Sequence, residues 1–318
     1  MSNTANLTIR VCPRAKRLEM AELLEVAERE RLLFQPALPA QEQSFGLAPW
    51  GKPPHLIDTE EAQAFSGMAP DSFFPWVQGA YAFQVVEQRK DLPKRVIDEH
   101  AEQRLLHQLG DWEHFQAMEP HEQKQMMEEL REQAKHDLMP SAFSKFNSWQ
   151  GWFDAEEGLL VIQDVSDKNV DAVIELLTYL VEGLGAERLE ETLGGSEAVS
   201  DALSGWLLRG APAGMRPHQS LKLVRPEQVS ASVTLKKEDI ESSSEVRDLI
   251  HEGRSVAELE CLFQEQWSLR LDPQLRVRGL KPLEREEEGE TVGSLQRLRL
   301  SQRIQAIRAL VRWFKANL

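Results

Sequence analysis

The stretch LMPSAFSKFNSWQGWFDAEEGLLVI, residues 138–162, decides how the rest of this sequence is interpreted. It places two aromatic side chains, Phe143 and Phe146, and the positive charge of Lys145 on a short non-helical link that follows a long charged helix. The link runs into an apolar β-hairpin that turns at residues 155–158. Apolar side chains beside serines and a lysine suit a contact surface better than a core. The stretch therefore predicts a contact surface joined to a sheet.

Composition places the chain among soluble globular proteins. The 318 residues are 41% hydrophobic, which is enough for one large or two ordinary domains with a real core. Cys12 and Cys261 lie far apart and fit no metal-ligand spacing, so we expect a reducing compartment and neither disulfides, metals nor cofactors. The first residues lack an apolar signal core, and no run approaches the ~18 apolar residues that span a bilayer. The sequence predicts a cytoplasmic protein without a membrane segment.

The charge is distributed unevenly along the chain. A formal net charge of −15 by itself argues against a simple basic nucleic-acid-binding protein. Residues 61–203 hold 11 Lys and Arg against 28 Asp and Glu, whereas residues 204–281 hold 12 against 11 and residues 294–318 hold 6 against none. Only phosphates within about a Debye length, roughly 10 Å at 0.1 M salt, feel a given lysine. The net charge therefore weakens a nucleic-acid interpretation without excluding it.

Hydrophobic periodicity predicts strands and helices in an order without regular alternation, which is typical of the α+β class. The segment from Pro93 to about His136 is charged and nearly free of glycine, so it predicts two or three consecutive helices interrupted at Gly110 and Pro120. Five prolines within residues 35–56 indicate a loop that crosses the surface.

Two further elements are expected near the C-terminus. Residues 256–280 predict one long hairpin that turns at Asp272-Pro273. The chain then closes with a helix from about Ser294.

No catalytic arrangement stands out in the sequence. The metalloprotease, P-loop and nucleophile-elbow motifs are absent from it. The many acids of the helical segment are best explained as a solvated helix face. These observations favour a binding protein over an enzyme, with a metal-dependent nuclease that uses the acidic helices as a weaker alternative.

Two basic features could contact a polyanion. Lys236 and Lys237 end a predicted strand, and a strand end in solvent is the plain alternative for them. The C-terminal helix alternates apolar residues with cations that include Arg297, Arg303 and Arg308. Three alternatives are open for this helix: contact with a polyanion, intramolecular pairing with the acidic run that precedes it, and contact with a partner or membrane surface.

The aromatic residues divide into two groups. Trp149, Trp152 and Phe153 belong to the hairpin and are expected in the core rather than as base-stacking platforms. Phe143 and Phe146 lie three apart in a polar setting, so both an intersubunit contact and local core packing are open for them.

The order and spacing of several motifs resemble the recombination-associated RdgC family. Similarity is densest over residues 138–184, which hold the Met-Pro-x-Ala-Phe-Ser-Lys-Phe link, the tryptophan-rich strand, Gly-Leu-Leu-Val-Ile and the following helix. Weaker similarity covers residues 233–240, 250–256 and 256–280, and Phe-Gly-Leu-Ala-Pro-Trp-Gly at 45–51 fits an early loop of the family. The similarity extends over most of the chain, and no single motif is diagnostic.

The resemblance implies a protein that binds double-stranded DNA without sequence preference, associates with the nucleoid and restrains RecA-promoted strand exchange. It also implies a horseshoe-shaped subunit, built of mixed antiparallel hairpins and a long helical arm, that closes into a ring-shaped homodimer around a basic hole. Phe143 would seat in a pocket across one subunit interface, with Phe146 beside it. Lys236 and Lys237 would lie at a gate near the DNA, with Lys145 as a further candidate for DNA contact.

These patterns divide the chain into four parts. We expect an N-terminal α+β part at 1–92, a helical arm with the dimer-contact link at 93–148, and a hairpin plus helix at 149–195. A C-terminal α+β part at 196–318 would hold the gate and the cationic terminal helix.

Two departures from the family pattern bear on DNA binding. Glu238 stands beside the lysine pair where an uncharged amide is expected, which would weaken phosphate attraction there. The C-terminal helix is more cationic than the family pattern, so the DNA-contacting surface would shift towards residues 297–315. The alternative function is a protein-interaction module of the same fold with little or no DNA binding.

Overall fold

Strands and helices alternate irregularly along the chain, as the α+β prediction requires. The computed structural model describes residues 4–225, 228–236, 240–284 and 292–318. The strands are β1 (Ala5–Val11), β2 (Gln43–Ala48), β3 (Trp76–Val77), β4 (Ala80–Asp91), β5 (Phe143–Asp154), β6 (Leu159–Ile162), β7 (Glu187–Arg188), β8 (Met215–Arg225), β9 (Gln228–Lys236), β10 (Ser255–Phe263), β11 (Trp267–Leu271) and β12 (Val277–Pro282). The helices are α1 (Met20–Arg29), α2 (Thr59–Gln63), α3 (Pro70–Phe73), α4 (Lys94–Leu109), α5 (Trp112–Gln116), α6 (Pro120–Leu138), α7 (Asp167–Leu180), α8 (Gly195–Arg209), α9 (Ser244–His251) and α10 (Val292–Asn317).

One antiparallel sheet connects the two halves of the chain. Its order within the described residues is β2-β4-β5-β6-β1-β12-β11-β10-β8-β9, with β3 beside β4 and β7 beside β1. The first strand thus lies in the middle, where it pairs with β6 on one edge and with β12 and β7 on the other. Residues 7–10 are all buried, because both faces of β1 are covered.

Helices cover the sheet on both faces, but not along its whole length. One face packs against α8, α9 and α10, and we call this cluster core 1. Core 2 packs α1 and α7 against the opposite face of β4, β5 and β6, and near β2 it continues onto the first face, where it includes Ala48 and Val86. Alternation along β5 serves both cores, because Trp152 belongs to core 1 and Phe153 to core 2. The opposite face of β8 to β12 carries mainly polar side chains. Among the described residues, no helix forms a hydrophobic core with that face.

The helical arm is inserted between β4 and β5. It consists of α4, α5 and α6, and it buries a small cluster of its own that includes Leu105, Phe115 and Leu130. Gly110 ends α4 with a φ of 83°, which an L side chain rarely adopts, and Pro120 opens α6 in its first turn. The prediction of consecutive helices with breaks at these two residues is confirmed.

The link preceding the hairpin is not a loop. From Phe143 onwards it is the first half of β5, which pairs with β4 over twelve residues from Asp91 opposite Phe143 to Ala80 opposite Asp154. Because of its serines and lysine, this half of β5 lacks the hydrophobic alternation by which a strand is recognised in a sequence. Its extended conformation is therefore set by pairing with β4 rather than by the local sequence.

Two other expectations were wrong. Residues 35–56 are not wholly loop, because they contain β2, whose Gly46 packs so closely on Phe34 that an added Cβ would lie 2.6 Å from the backbone nitrogen. Residues 256–271 are not one strand, because the chain turns after β10 at Gln264 and Glu265, both with φ near +52°. Neither turn position holds Gly, Asn or Asp, so the usual turn signal is missing there.

Candidate nucleic-acid interface

Phe143 and Phe146 lie at the start of β5 on opposite faces of the sheet, because side chains alternate along a strand. Phe143 is 84% exposed, whereas Phe146 is half-buried against core 2. Lys145 shares the face of Phe143 and forms an ion pair with Asp91 of β4; the hydrogen bond from this lysine lowers the pKa of Asp91. The two aromatic residues therefore do not form one apolar patch, and Phe143 is the one presented to solvent.

An apolar groove opens on the same face of the sheet as Phe143. It has a volume of about 440 Å³ and lies between α7 and strands β2, β4 and β5. Its walls include Leu176 and the rings of Phe45 and Trp149, whose centroids are 5.9 Å apart. Trp149 follows Phe143 by six residues along β5, which corresponds to roughly 20 Å. An exposed phenylalanine and an apolar groove on one face are the two parts that a reciprocal contact between copies needs.

The lysine pair at the end of β9 is only half described. Lys236 is the exposed last residue of β9, which is the terminal strand of the sheet, and it stands opposite Ser220 of β8. Lys237 and Glu238 lie outside the described residues. Their placement at a subunit gate stays a prediction.

The first two arginine candidates of α10 differ in their surroundings. Arg297 is exposed near the start of the helix. Arg303 is half-buried, and its Nη1 donates to Oε1 of Gln163 at 3.3 Å. Both side chains belong to the helix layer of core 1, on the opposite face from Lys145.

The surroundings of Arg308 contradict the prediction that this residue contacts DNA. It is only 7% exposed, because it lies in the apolar stripe that α10 turns towards the sheet, between Ile304 and Val311. Its Nε is 2.6 Å from Oδ2 of the fully buried Asp154, and its Nη1 is 2.8 Å from Oε1 of Glu156. A guanidinium buried under two carboxylates cannot reach a phosphate.

Intramolecular pairing, one of the alternatives for α10, applies to at least two of its arginines. Besides Arg308, Arg312 pairs with Glu157 at 2.6 Å. The partner of both is the β5–β6 turn and not the acidic run before the helix, of which residues 285–290 lie outside the described residues. The turn therefore anchors the helix that covers core 1.

The remaining candidates are not brought together within one subunit. Lys145 lies on the third strand of the sheet order and Lys236 on the tenth. Seven strand spacings of about 4.8 Å amount to roughly 34 Å measured along the sheet. Within one chain, these two lysines therefore do not share a site.

The structure reveals a row of cations that sequence reasoning missed. Lys222 on β8, Arg270 on β11 and Arg278 on β12 share the face of the sheet that points away from core 1, and Arg270 stands directly opposite Arg278. Together they belong to a set of seven cations that shares this face with four carboxylates. The cations are Arg216, Lys222, Lys236, Arg270, Arg276, Arg278 and Lys281, and the carboxylates are Glu258, Glu260, Glu265 and Asp272. We call this surface the basic face. Its sequence signal is an arginine between apolar residues, as in Leu-Arg-Leu at 269–271, which marks the polar side of a strand.

Glu258 lies among the three central cations of the basic face. Its Oε1 accepts a hydrogen bond from Nη1 of Arg270 at 2.9 Å, and its Oε2 is 3.6 Å from Nε of Arg278. On the other side it is the register partner of Lys222. Three cations, one each on β8, β11 and β12, thus surround a single carboxylate on β10.

Two other cations of the basic face have their own carboxylates. Glu265 accepts two hydrogen bonds from Arg216, both at 2.9 Å, and this hydrogen bonding lowers the pKa of Glu265. Asp272 binds Nε of Arg276 at 2.7 Å. For Lys222 and Lys281, in contrast, the described part of the chain supplies no ion pair.

A cavity of about 650 Å³ opens beside this row, between α8 and the strands. Lys222, Arg278 and Glu258 line one side, and Glu197 and Asp201 of α8 line the other. Because both signs of charge meet there, the cavity by itself is not an anion site.

Neither a metal-binding cluster nor a membrane span occurs in the described residues. Among the described residues, no group of three or more His, Cys, Asp and Glu side chains is arranged to hold a metal ion. In the part of the chain that the structure describes, no helix combines the length and the apolar character needed to span a bilayer.

Comparison with known proteins gives a consistent result. The family model described as "Putative exonuclease, RdgC" matches residues 62–310. The recombination-associated protein RdgC of Halorhodospira halophila is 28% identical over 204 residues, which are 64% of this chain and 64% of that protein. Proteins of the same name from Burkholderia cenocepacia and Laribacter hongkongensis are 27% identical over 198 residues and 28% identical over 223 residues, covering 61% and 71% of their lengths and 62% and 70% of this chain. The chain spans slightly less than two thirds of the first two relatives. The matched residues include the start of β5 and the whole basic face.

Proposed function

The chain belongs to the RdgC family, and from that premise we propose that it acts in recombination as a non-enzymatic protein that binds double-stranded DNA without sequence preference. The observation that supports this most directly is the basic face. In a chain with a net charge of −15, it gathers seven cations against four carboxylates on neighbouring strands and the turns between them. Strand spacings of about 4.8 Å place these cations close enough to contact several phosphates of one duplex.

Binding through this surface would be electrostatic. Lysine and arginine side chains that meet phosphates release condensed counterions, and they obtain little information about base sequence. The acidic helical arm would repel the duplex, so most phosphate contacts would fall on the basic face. Affinity should therefore depend strongly on salt and weakly on sequence.

We expect the wild-type protein to bind two duplexes of unrelated sequence with the same affinity. Neutralising three phosphates would make log K fall with log [salt] at a slope of about −2.7. Fluorescence anisotropy at several salt concentrations measures both quantities. Absence of salt-sensitive binding to any duplex would instead favour the protein-interaction module. Shortening of the DNA in the same samples with Mg²⁺ or Mn²⁺ would replace the non-enzymatic proposal by a nuclease.

We also propose that two horseshoe-shaped subunits close into a ring around the duplex. Phe143 of each subunit would enter the groove of the other, since both features occupy one face and Phe143 has no cover of its own. Lys145 and the lysines at the end of β9 would then approach the DNA from the two subunits, although they are far apart within one. Enclosure would retain the duplex longer than its phosphate contacts alone.

Replacing Phe143 with serine is expected to turn the dimer into a monomer and to weaken DNA binding with it. The fold should survive, because a side chain that is 84% exposed buries little area within the subunit. Sedimentation equilibrium gives the mass, and Leu56→Ser, at another exposed apolar residue, is the matched control. A dimeric Phe143→Ser protein that binds DNA like the wild type would exclude this interface.

The proposed effect on recombination follows from enclosure. A duplex covered by the ring would be unavailable to RecA, so the protein would associate with the nucleoid and antagonise strand exchange. A RecA strand-exchange assay with the duplex bound beforehand tests this step, and unchanged product formation would contradict it.

A further inference from the structure

We propose that Glu258 is an internal counter-ion of the basic face, which a DNA phosphate must displace before Arg270 and Arg278 can contact the duplex. The inference rests on the proposed DNA binding and adds a residue that limits its strength. Glu258 would keep binding weak enough to be reversible on a surface where cations outnumber carboxylates.

The contacts of Glu258 are those of a displaceable group. It makes its hydrogen bond to the side chain of Arg270, and its side chain remains 25% exposed. The two arginines are themselves 45% and 29% exposed, so a ligand can reach them from solvent. Nε of Arg278 is buried and has no hydrogen-bond partner among the described residues, so Glu258 at 3.6 Å pairs with it by charge alone, while Nη2 of Arg278 lies 3.7 Å from Oδ2 of Asp272.

The neighbouring carboxylate, Asp272, has a structural role instead. Its side chain is only 8% exposed, and its Oδ1 accepts backbone N–H groups of Gln274 and Arg276 at 3.1 Å. Its Oδ2 holds Nε of Arg276. Removing Asp272 would loosen the turn, whereas Glu258 is bound through side chains alone.

Phosphate and carboxylate compete for the same donors. Both are oxyanions that accept charge-assisted hydrogen bonds from guanidinium, often two at a time. While Glu258 occupies Arg270 and faces Lys222, its charge offsets part of the positive potential that the duplex would meet. A phosphate that takes its place would leave an exposed carboxylate near the DNA backbone, which opposes tight binding.

The test is the isosteric variant Glu258→Gln, compared with wild type by anisotropy titration over a range of salt. The glutamine oxygen can still accept from Arg270, so the strand geometry should be kept. One additional neutralised phosphate would tighten binding roughly eightfold at 0.1 M salt and steepen the salt slope by about 0.9. The changed slope separates loss of a counter-ion from a purely structural effect.

Glu122→Gln provides the matched control, since it removes the same charge from an exposed position of α6 on the arm. Binding by Glu258→Gln that equals wild type, or an equal gain in Glu122→Gln, would overturn the inference while wild-type DNA binding still stands. If the wild-type protein binds no duplex at low salt, the proposed function fails and this inference falls with it.

Discussion

The Asp154→Ala variant is expected to lose about 3–5 kcal/mol of unfolding free energy, because it removes the buried one of the two carboxylates that compensate a buried guanidinium. Asp154 is fully buried, and its Oδ2 lies 2.6 Å from Nε of Arg308. Its Oδ1 also accepts the backbone N–H groups of Glu156 and Glu157, so the turn loses its internal bonds as well. The anchor between α10 and the sheet would be lost. Urea denaturation followed by circular dichroism measures the change.

An exposed ion pair serves as the control for this variant. Arg95 pairs with Glu99 on α4 and its side chain is 88% exposed, so Arg95→Ala should leave the urea midpoint close to that of the wild type. The double variant Asp154→Ala with Arg308→Ala should cost less than the two single variants added together, because it removes the unpaired charge. A loss below about 1 kcal/mol for Asp154→Ala would show that the pair does not anchor the helix.

Removing Arg270 and Arg278 together is expected to weaken binding to duplex DNA by roughly 60-fold at 0.1 M salt. The estimate follows from the loss of two phosphate contacts, which also makes the salt slope shallower by about 1.8. Both side chains lie on the open face of the sheet rather than in core 1, so the fold should be retained. Anisotropy titrations over a range of salt, with unfolding curves as a check of folding, measure the effect.

Two further double variants make this result specific. Arg29→Ala with Arg95→Ala removes the same charge from exposed positions on α1 and α4, and it should bind like wild type. Arg297→Ala with Arg303→Ala tests the alternative surface on α10. A larger loss in that variant than in the Arg270 and Arg278 variant would move the DNA-binding surface to the C-terminal helix.

Elements with local signals were predictable from the sequence. The arm was divided correctly because Gly110 and Pro120 act through their own backbone geometry. Trp152 and Phe153 were placed in the core because large aromatic residues on a hairpin are seldom left in water, and both are fully buried. In each case the signal is local: backbone geometry marks the helix breaks, and side-chain size marks the core positions.

Elements without local signals were missed. The polar half of β5 becomes a strand because β4 supplies its hydrogen bonds, and nothing in Ser-Lys-Phe-Asn-Ser indicates that partner. The turn at Gln264 and Glu265 exists because β10 and β11 pair on either side of it, with Phe263 opposite Trp267. Long-range pairing overrode the local preferences in both places.

The candidate site shows the same division. For Phe143 the sequence left an intersubunit contact and local core packing both open, and its 84% exposure excludes packing in the core. Burial of Arg308 was not expected, because the helical pattern of α10 cannot reveal a carboxylate that lies 154 residues earlier in the chain. The basic face was missed for a related reason: its cations come from separate strands and become neighbours only in the sheet.

By itself, the sequence determined the α+β class, the helical arm, the hairpin with its aromatic core and the resemblance to the RdgC family. These depend on side-chain type, periodicity and backbone preference, which act over short stretches of chain. The tertiary structure alone decided which cations face solvent together, that Arg308 is held by Asp154, and that Glu258 lies between Lys222 and the two arginines. The physical reason is that Coulomb interactions depend on distance in space, and the register of strands far apart in sequence sets those distances.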